Sequence, residues 1–474
     1  MQVSNDNGPA RQVGQSVAVD GYANAIIAWE DDRNGDADIY IQKVDNDGNR
    51  LWHSGIRVNS DDGATEQDDP CVASDRKGHI LVAWKDQRAG NDDIYCQMLD
   101  ENGNKIWSSD LRVNTNTVGH QNTPDAAVDG DGNALIVWRD ELSDNIYLQK
   151  IGKGRVRLWM TDVQVNGISG TAGASAAIAV DRDGGAVVAW RDWRVGISDI
   201  YVQRIDSDGN RLWPTDVRAN AQSEVATQLY PDVAVDGGAN TFVVWQDYPQ
   251  YPGEPSNPHA YAQRLDASGQ ELWAEDVLIS SAATGSQIHL YPVVRVDEAG
   301  NAVIAWQDDR TGYYDLKVYS QRLGEDGSKL WLTDALVSAE TGDVNRYYSP
   351  AVVVEQTGSA FIAWVDQRAN GSADIYAQRM NMVGNRIWLG DLPLVHPDSF
   401  YLSPGCAGSD TVDSAVNDIY QATLTANLQL SGGNVQFYLT NDGGDHWAEV
   451  TPGLTHVFTT TGSDLRWRAE LTAD

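Results

Sequence analysis

The chain has 474 residues, with 34 basic against 68 acidic side chains and a formal net charge of −34. Such a field repels nucleic acid and anionic lipid, and no stretch approaches the roughly 20 apolar residues a membrane-spanning helix needs. Three cysteines cannot build a disulfide framework.

From the start of the chain, four short runs read as strands. They are Ser16–Asp20, Ala25–Trp29, Ile39–Val44, and a fourth from Arg50-Leu51-Trp52 to about Val58. Each is rich in β-branched and aromatic residues and bounded by Gly, Asn or Asp. Turns fall where glycine supplies positive φ, as at Asp47-Gly48-Asn49 and Asp208-Gly209-Asn210. This unit then recurs with a period of about 55 residues. A Trp closes each copy: Trp52, Trp107, Trp159, Trp213, Trp273, Trp331 and Trp388. A second Trp stands upstream in each, at Trp29, Trp84, Trp138, Trp190, Trp245, Trp306 and Trp364. Two residues after it comes an Asp: Asp31, Asp86, Asp140, Asp192, Asp247, Asp308 and Asp366. A four-stranded unit repeated seven times without helical periodicity predicts an all-β chain, a seven-bladed β-propeller over residues 1–396. Cys71 and Cys96 fall on strands separated by a neighbour, too far apart to be bridged. Residues 1–8 resemble the tail of a fourth strand and are candidates to complete the last blade. The repeat then stops. Residues 397–412, with Pro397, Pro404, Gly405 and a lone Cys406, read as a linker. Residues 413–474 read as a small antiparallel, sandwich-like β module, with runs at Ile419–Leu430, Asn434–Leu439, Thr455–Thr460 and Asp464–Leu471.

The turns before the closing tryptophans carry a family resemblance. Thr440-Asn441-Asp442-Gly443-Gly444-Asp445-His446-Trp447 resembles the sialidase-type Asp-box, Ser/Thr-x-Asp-x-Gly-x-x-Trp. Asp45–Trp52, Asp206–Trp213 and Gly324–Trp331 look like degenerate relatives, with Gly directly after the Asp. The repeats as a whole look like the sialidase-like, Asp-box-type propellers of bacterial secreted proteins. That resemblance implies the propeller fold. It does not imply catalysis, because Asp-boxes are structural hairpins on the face opposite a sialidase's active site. The Phe-Arg-Ile-Pro type motif of that family is absent. Arginines follow the Trp-x-Asp step at Arg33, Arg88, Arg194, Arg310 and Arg368. Their recurrence predicts pairing with aspartates of their own blade, since bidentate Arg–carboxylate contacts fix loop geometry. The repeated Gln42, Gln97, Gln149, Gln203, Gln263, Gln321 and Gln378 are expected to bond between strands or blades.

Symmetric positions build the ring, so function is expected at asymmetric ones. Loops of blades one and two are acidic, with Asp31, Asp32, Asp36, Asp38, Glu66, Asp68, Asp69, Asp92 and Asp93. Those of blades four to seven are aromatic: Trp193, Tyr230, Tyr248, Tyr251, Tyr291, Tyr313, Tyr314, Tyr347 and Tyr348, with His259 and His289 nearby. Exposed rings on a rigid scaffold are a recognition signature, and with carboxylates and amides they suit a sugar. Trp193, Tyr230, Tyr248, Tyr251, His289, Tyr291, Tyr313, Tyr314, Tyr347 and Tyr348 are therefore the candidate ligand residues. Asp-x-Asp-Gly-Asn turns resemble short calcium loops, so Asp45, Asp47, Asp206 and Asp208 are candidate Ca²⁺ ligands. No cofactor is required by any motif, and the eight scattered histidines speak against zinc. No leader is readable at Met1-Gln2-Val3-Ser4, so one removed beforehand is expected, with the protein secreted or at the cell surface. Three functions stay open: a non-catalytic propeller binding a glycan or an extracellular partner, a structural module of a larger extracellular assembly, and a glycoside hydrolase or polysaccharide lyase. Clustered Arg, Tyr and Asp/Glu side chains at the channel mouth would favour the last.

Overall fold

The computed structural model describes residues 10–60, 65–173, 175–220, 226–249, 257–281, 288–310, 316–338, 348–355, 357–366 and 373–388, and strands between residues 406 and 472. Among these the chain is all-β, and it divides into two compact units, Met1–Leu394 and Val395–Asp474.

The first unit is a ring of seven antiparallel blades. The first strands are Gln12–Val19, Gln67–Ser74, Gln121–Val128, Ala177–Val180, Ala226–Val235, His289–Val296 and Ala351–Val354. The second strands are Ala25–Asp31, Ile80–Asp86, Ala134–Asp140, Ala186–Asp192, Thr241–Pro249, Ala302–Asp308 and Ala360–Asp366. The third are Asp38–Val44, Asp93–Leu99, Asn145–Gly152, Asp199–Ile205, His259–Leu265, Lys317–Leu323 and Asp374–Met380. The fourth strand is only two residues, Ile56–Arg57 in blade one. The closing Trp, expected on that strand, instead sits in the bend before it, and Arg50 makes a lone bridge to Val44. Gln42 explains the bend: its Oε1 accepts from Trp52 N at 3.3 Å and its Nε2 donates to Trp52 O at 3.2 Å. The same clamp recurs from Gln203, Gln321 and Gln378. A glutamine amide supplies both donors and an acceptor, which is what an isolated backbone residue lacks outside a ladder.

Second strands are buried along both faces because each lies between two blades. Even-numbered residues of Ala25–Asp31 pack on blade two and odd-numbered ones on blade seven. Trp29, Trp84, Trp138, Trp190, Trp306 and Trp364 each donate their indole N–H to a carboxylate or amide, as Trp29 does to Asp31 at 2.9 Å and Trp138 to Gln121 at 2.9 Å. Arg33, Arg88, Arg194 and Arg310 grip the Asp of their own blade, as expected. Arg88, Arg194 and Arg310 reach a second Asp as well; Arg368 lies outside the described residues.

Two further devices brace the ring, one within blades and one between them. The acid opening the turn between first and second strands pairs across the sheet with the residue after the repeated Gln. Asp20–Lys43 (2.6 Å), Asp129–Lys150 (2.9 Å), Asp181–Arg204 (2.8 Å), Asp236–Arg264 (2.5 Å) and Glu355–Arg379 (2.7 Å) are such pairs, as is Asp297–Arg322. Six of the closing indoles, from Trp107 to Trp388, then donate to a turn carbonyl of the next blade, as Trp213 does to Ala267 and Trp331 to Met382, both at 3.0 Å. Trp388 does the same to Asn46 in blade one at 2.9 Å, and Gln12 N donates to Ala373 O at 2.8 Å. The last blade thus meets the first through the contacts used at the other boundaries. Residues 1–8, considered for the last blade, lie outside the described residues.

The C-terminal unit contains a sheet in the order Cys406–Gly408, Asp464–Thr472, Asn434–Thr440, Ala448–Val450, with Asp413–Ser414 also on Asp464–Thr472. Gln421–Thr423 and Thr455–Val457 form a separate pair. Cys406, expected in a linker, begins a paired strand. The Asp-box positions 441–447 lie outside the described residues.

Candidate functional site

Seven first strands line the central channel, a cavity of about 280 Å³ walled mainly by Ala and Val. Near its entrance five of these strands carry a bulge. Six residues there adopt left-handed backbone: Gly14 (φ 65), Asp69 (φ 50), Thr123 (φ 48), Ser175 (φ 72), Tyr230 (φ 51) and Tyr291 (φ 51). Bulges re-aim side chains, and non-glycine residues held at positive φ cluster where function needs them. A second cavity, about 200 Å³, sits at this end and is bordered by Ser175, Tyr230, Asp232, Arg295 and Ser349 among others.

The residue after each core Trp completes the rim. Around the ring it reads Glu30, Lys85, Arg139, Arg191, Gln246, Gln307 and Val365. The constant Trp-x-Asp frame thus presents a different side chain in almost every blade. Several reach the next blade's bulge. Glu30 Oε1 accepts from Asp69 N at 2.9 Å, Gln246 Oε1 from Tyr291 N at 3.1 Å, and Gln307 Nε2 donates to Tyr348 O at 2.8 Å. The amide nitrogen of Gln246 is buried with no hydrogen-bond partner among the described residues.

The rim has two unlike arcs. On one, Tyr230 and Tyr291 meet edge to face with ring centroids 4.6 Å apart. Arg191 lies over Trp193 at 4.4 Å and donates from Nε to Ser198 at 2.8 Å. Trp193 is 38% exposed and Tyr230 37%, so both rings keep an open surface. On the other arc Glu30, Asp68, Asp69 and Lys85 gather, Lys85 lying 3.0 Å from Asp68 and 3.8 Å from Asp69. Tyr348 joins them, accepting a hydrogen bond from Arg11. Burial, with Asp69 and Asp68 adding like charge, pushes Glu30 up to about 7. Burial and the Asp69 charge push Asp68 up to about 6, despite Lys85. The rim therefore holds carboxyl groups that exchange protons near neutrality beside a tyrosine, an arginine and a lysine.

Deeper in the channel the ring is broken by charge. Six of seven equivalent positions carry Ala18, Ala73, Ala127, Ala179, Ala234 and Val353; the seventh is Arg295. Arg295 pairs with Asp232 at 2.8 Å. Asp232 also accepts from Val233 N and from Val294 N in the next blade. Asp125 spans Ala126 N and Ile178 N in the same way, and Ser16 takes Val72 N. Burial pushes Asp125 up to about 6, with the Arg295 cation opposing it.

The candidate ligand residues are thus sorted. Tyr230, Tyr291, Trp193 and Tyr348 are on the rim. Tyr248 is the penultimate residue of the second strand of blade five, half-buried. His289 is 2% exposed, and it takes the register position of Gln12, Gln67, Gln121 and Gln228 opposite the Trp-x-Asp aspartate. Tyr251, Tyr313, Tyr314 and Tyr347 lie outside the described residues. Glu30, Arg139, Arg191 and Arg295 were not anticipated; for the first three the signal available was one variable position beside an invariant Trp. For the candidate calcium ligands, Asp45 Oδ1 accepts from Asp47 N and Asn49 N, and Oδ2 from Asn49 Nδ2. Asp206 does the same for Asp208 and Asn210. Both act as turn acceptors; Asp47 and Asp208 supply backbone donors. Among the described residues no three His, Cys, Asp or Glu side chains converge on a common point for a metal ion.

No protein-family model matches the chain, and no curated protein sequence matches it. Solved structures do. A polysaccharide lyase, Uly1, aligns with TM-score 0.50 and 10% identity over 78% of this chain and 90% of its own. A Penicillium chrysogenum α-L-arabinanase aligns with TM-score 0.45 and 12% identity over 66% and 92%. A Hadza microbial sialidase aligns with TM-score 0.38 and 12% identity over 77% and 65%. At such identity the lyase likeness bears on fold alone. The chain is a seven-bladed β-propeller, similar in fold to that polysaccharide lyase.

Proposed function

We propose that the channel mouth is a glycan site and that the protein works outside the cytoplasm on polymeric, anionic sugars. The observation carrying this reading is the bulge rim, where strained backbone directs Tyr230 and Tyr291 together beside Arg191 and Trp193. Flat rings suit the apolar face of a sugar, and Arg forks suit carboxylates. Lys85, Arg139 and Arg191 place cations on three consecutive blades of a chain whose net charge is −34. The unpartnered Gln246 amide offers a donor at the same rim.

The test uses Tyr230→Gly and Tyr291→Gly, which place at each bulge the residue blade one already has, Gly14. Glycine relieves the backbone there, so the ring keeps its fold. Binding to uronate-containing oligosaccharides on a glycan array should weaken about tenfold for the pair, an effect of about 1.4 kcal/mol. Unchanged binding would refute the site. A second reading, turnover rather than binding, is favoured by the Arg11–Tyr348–Glu30–Asp68 arc, where acid, base and phenol share one mouth. Release of new reducing ends or unsaturated products from uronic polymers, lost in Glu30→Gln, would establish it; no product from a broad polysaccharide panel would remove it.

A further inference from the structure

At the end of the channel away from the bulges, turns join first to second strands. The residue after the acid that opens each turn reads Gly21, Arg76, Gly130, Arg182, Gly237 and Glu298 in blades one to six. A cavity of about 380 Å³ at this end is lined by Arg76, Arg182, Gly237, Glu298 and Glu355 among others. Blade two's turn is folded unlike the rest. In the six other turns the fourth residue donates its N–H to the carbonyl of the opening acid, as Ala23 does to Asp20 and Gly184 to Asp181, both at 3.2 Å. Among the described residues Gly78 makes no such bond to Asp75. Arg76 instead takes left-handed backbone (φ 55) and donates its N–H to Ser74 Oγ at 3.1 Å. The cause lies across the sheet. Blade two carries Met98 where the other blades carry the Lys or Arg that braces the acid, and Asp75 is held by His79 of its own turn at 2.7 Å. The refolded turn crowds blade one, where a Cβ on Gly21 would stand 2.2 Å from the Arg76 carbonyl oxygen. Arg76 passes that blade and donates from Nη2 to Val354 O of blade seven at 3.3 Å. Arg182 reaches toward blade five, where a Cβ on Gly237 would stand 3.2 Å from its Nη2.

We infer that this second mouth is an oxyanion site, in which Arg76 and Arg182 hold a tetrahedral group of the sulfate or phosphate type. Among the described residues neither guanidinium has a carboxylate within ion-pair distance. Two of the acids in the lining are committed elsewhere, Asp297 to Arg322 and Glu355 to Arg379. Glu298 is the third. Two cations against one uncommitted acid leave this cavity positive, in a chain whose formal net charge is −34. Guanidinium forks recognise oxyanions through paired, charge-assisted hydrogen bonds. A carboxylate has two oxygens and fills one fork, whereas a tetrahedral group has oxygens for forks that arrive from two blades. The glycines at this slot in blades one, three and five leave backbone room beside each arginine. Strained backbone held against its own cost marks functional positions, and here it belongs to the one turn that carries its arginine past a neighbouring blade. The site stands at the other end of the channel from Tyr230 and Tyr291 and does not rest on the glycan reading.

The experiment is calorimetric titration of the full chain with sulfate and with phosphate, in chloride buffer of matched ionic strength. Acetate is the planar control, and a sulfated hexose tells an esterified oxyanion from a free one. The variants are Arg76→Gly, Arg182→Gly and the pair. Glycine is what blades one, three and five carry at this slot, and it suits the left-handed backbone of Arg76, so the ring is retained. The wild type should bind one equivalent of sulfate or phosphate, more tightly than acetate. Each single variant should weaken that binding about tenfold, the scale of one charge-assisted hydrogen bond lost. The pair should abolish it, with the melting curve in chloride retained. A sulfated hexose that binds as well as sulfate assigns the site to an ester, and one that does not bind assigns it to the free ion. The same isotherm for wild type and the double variant, or acetate bound as tightly as sulfate, would overturn the site. Tyr230→Gly with Tyr291→Gly should leave the sulfate isotherm unchanged while weakening glycan binding, so the failure of either reading is distinguishable from that of the other.

Discussion

Glu30 should make this protein less stable in alkali than in acid, and one atom change should remove much of that loss. Glu30 is 9% exposed and its carboxyl is pushed from 4.5 to about 7 by burial and by the nearby Asp69 and Asp68 charges. The direction is that of a raised acid. Its favourable contribution is full below the unfolded value near 4.5 and is lost as pH rises through about 7. A displacement from 4.5 to about 7 corresponds to about 3 kcal/mol above neutrality. Glu30→Gln deletes the charge but keeps the acceptor for Asp69 N. Gln246 already plays that part toward Tyr291 N in blade five. The variant should therefore be more stable than the wild type by about 3 kcal/mol at pH 8 and nearly equal to it at pH 4.5. With an unfolding entropy of about 2.1 cal/mol/K per residue, a unit the size of Met1–Leu394 would melt about 4 °C higher at pH 8. Calorimetric melts of both proteins across pH 4.5–8.5 supply the test. Parallel pH profiles, or a variant less stable at pH 8, would refute the reasoning.

Two further perturbations probe the ring. Asp181→Asn keeps the acceptor for Asp183 N and Gly185 N but strands Arg204, whose pair with Asp181 is buried on both sides. The expected loss is about 3–5 kcal/mol in urea unfolding. Adding Arg204→Met, the residue type blade two carries at Met98, should recover most of it, and a double variant no better than the single would contradict the pairing. Arg295→Ala matches the small side chains of five other blades but leaves Asp232 and Asp125 without their cation. Because Arg295 is 38% exposed in the channel, the loss should be modest, about 1–2 kcal/mol. It should appear from about pH 6 upward, where Asp125 ionises, and shrink in acid. A deficit independent of pH would argue for packing instead.

The ring was legible because its parts are repeated: core Trp, Trp-x-Asp aspartate, following Arg and third-strand Gln recur at constant spacing, and each proves to hold a blade together. Less legible was whatever depends on pairing between distant segments. The Asp181–Arg204 type of bridge joins a turn to a strand two elements later, and its basic partner is Met98 in blade two. The closing Trp looked like a strand residue because aromatic neighbours favour strands, yet Gln42 pins its backbone outside the ladder. The rim was hidden for a different reason. Left-handed backbone usually announces itself through glycine, and here only Gly14 did so, while Asp69, Thr123, Ser175, Tyr230 and Tyr291 hold the same conformation by tertiary constraint. Tyr230 and Tyr291 were chosen as loop aromatics; the bulge is what turns them to one mouth. His289 looked like a surface ligand and is instead inside a blade boundary.

The bulged rim also separates two kinds of inheritance. Where hydrogen bonds hold the rim bulges, as at Asp69 and Tyr291, the bulge residue contributes its backbone N–H, so those side chains are relieved of structural duty. Gly, Asp, Thr, Ser and Tyr all occupy the same geometric slot on one frame. Duplicated blades can therefore diverge at this slot one by one while the frame they share stays intact. On the proposed function, what the propeller recognises would be written in a short circular alphabet of such slots, and it could be rewritten without rebuilding the wheel that displays it.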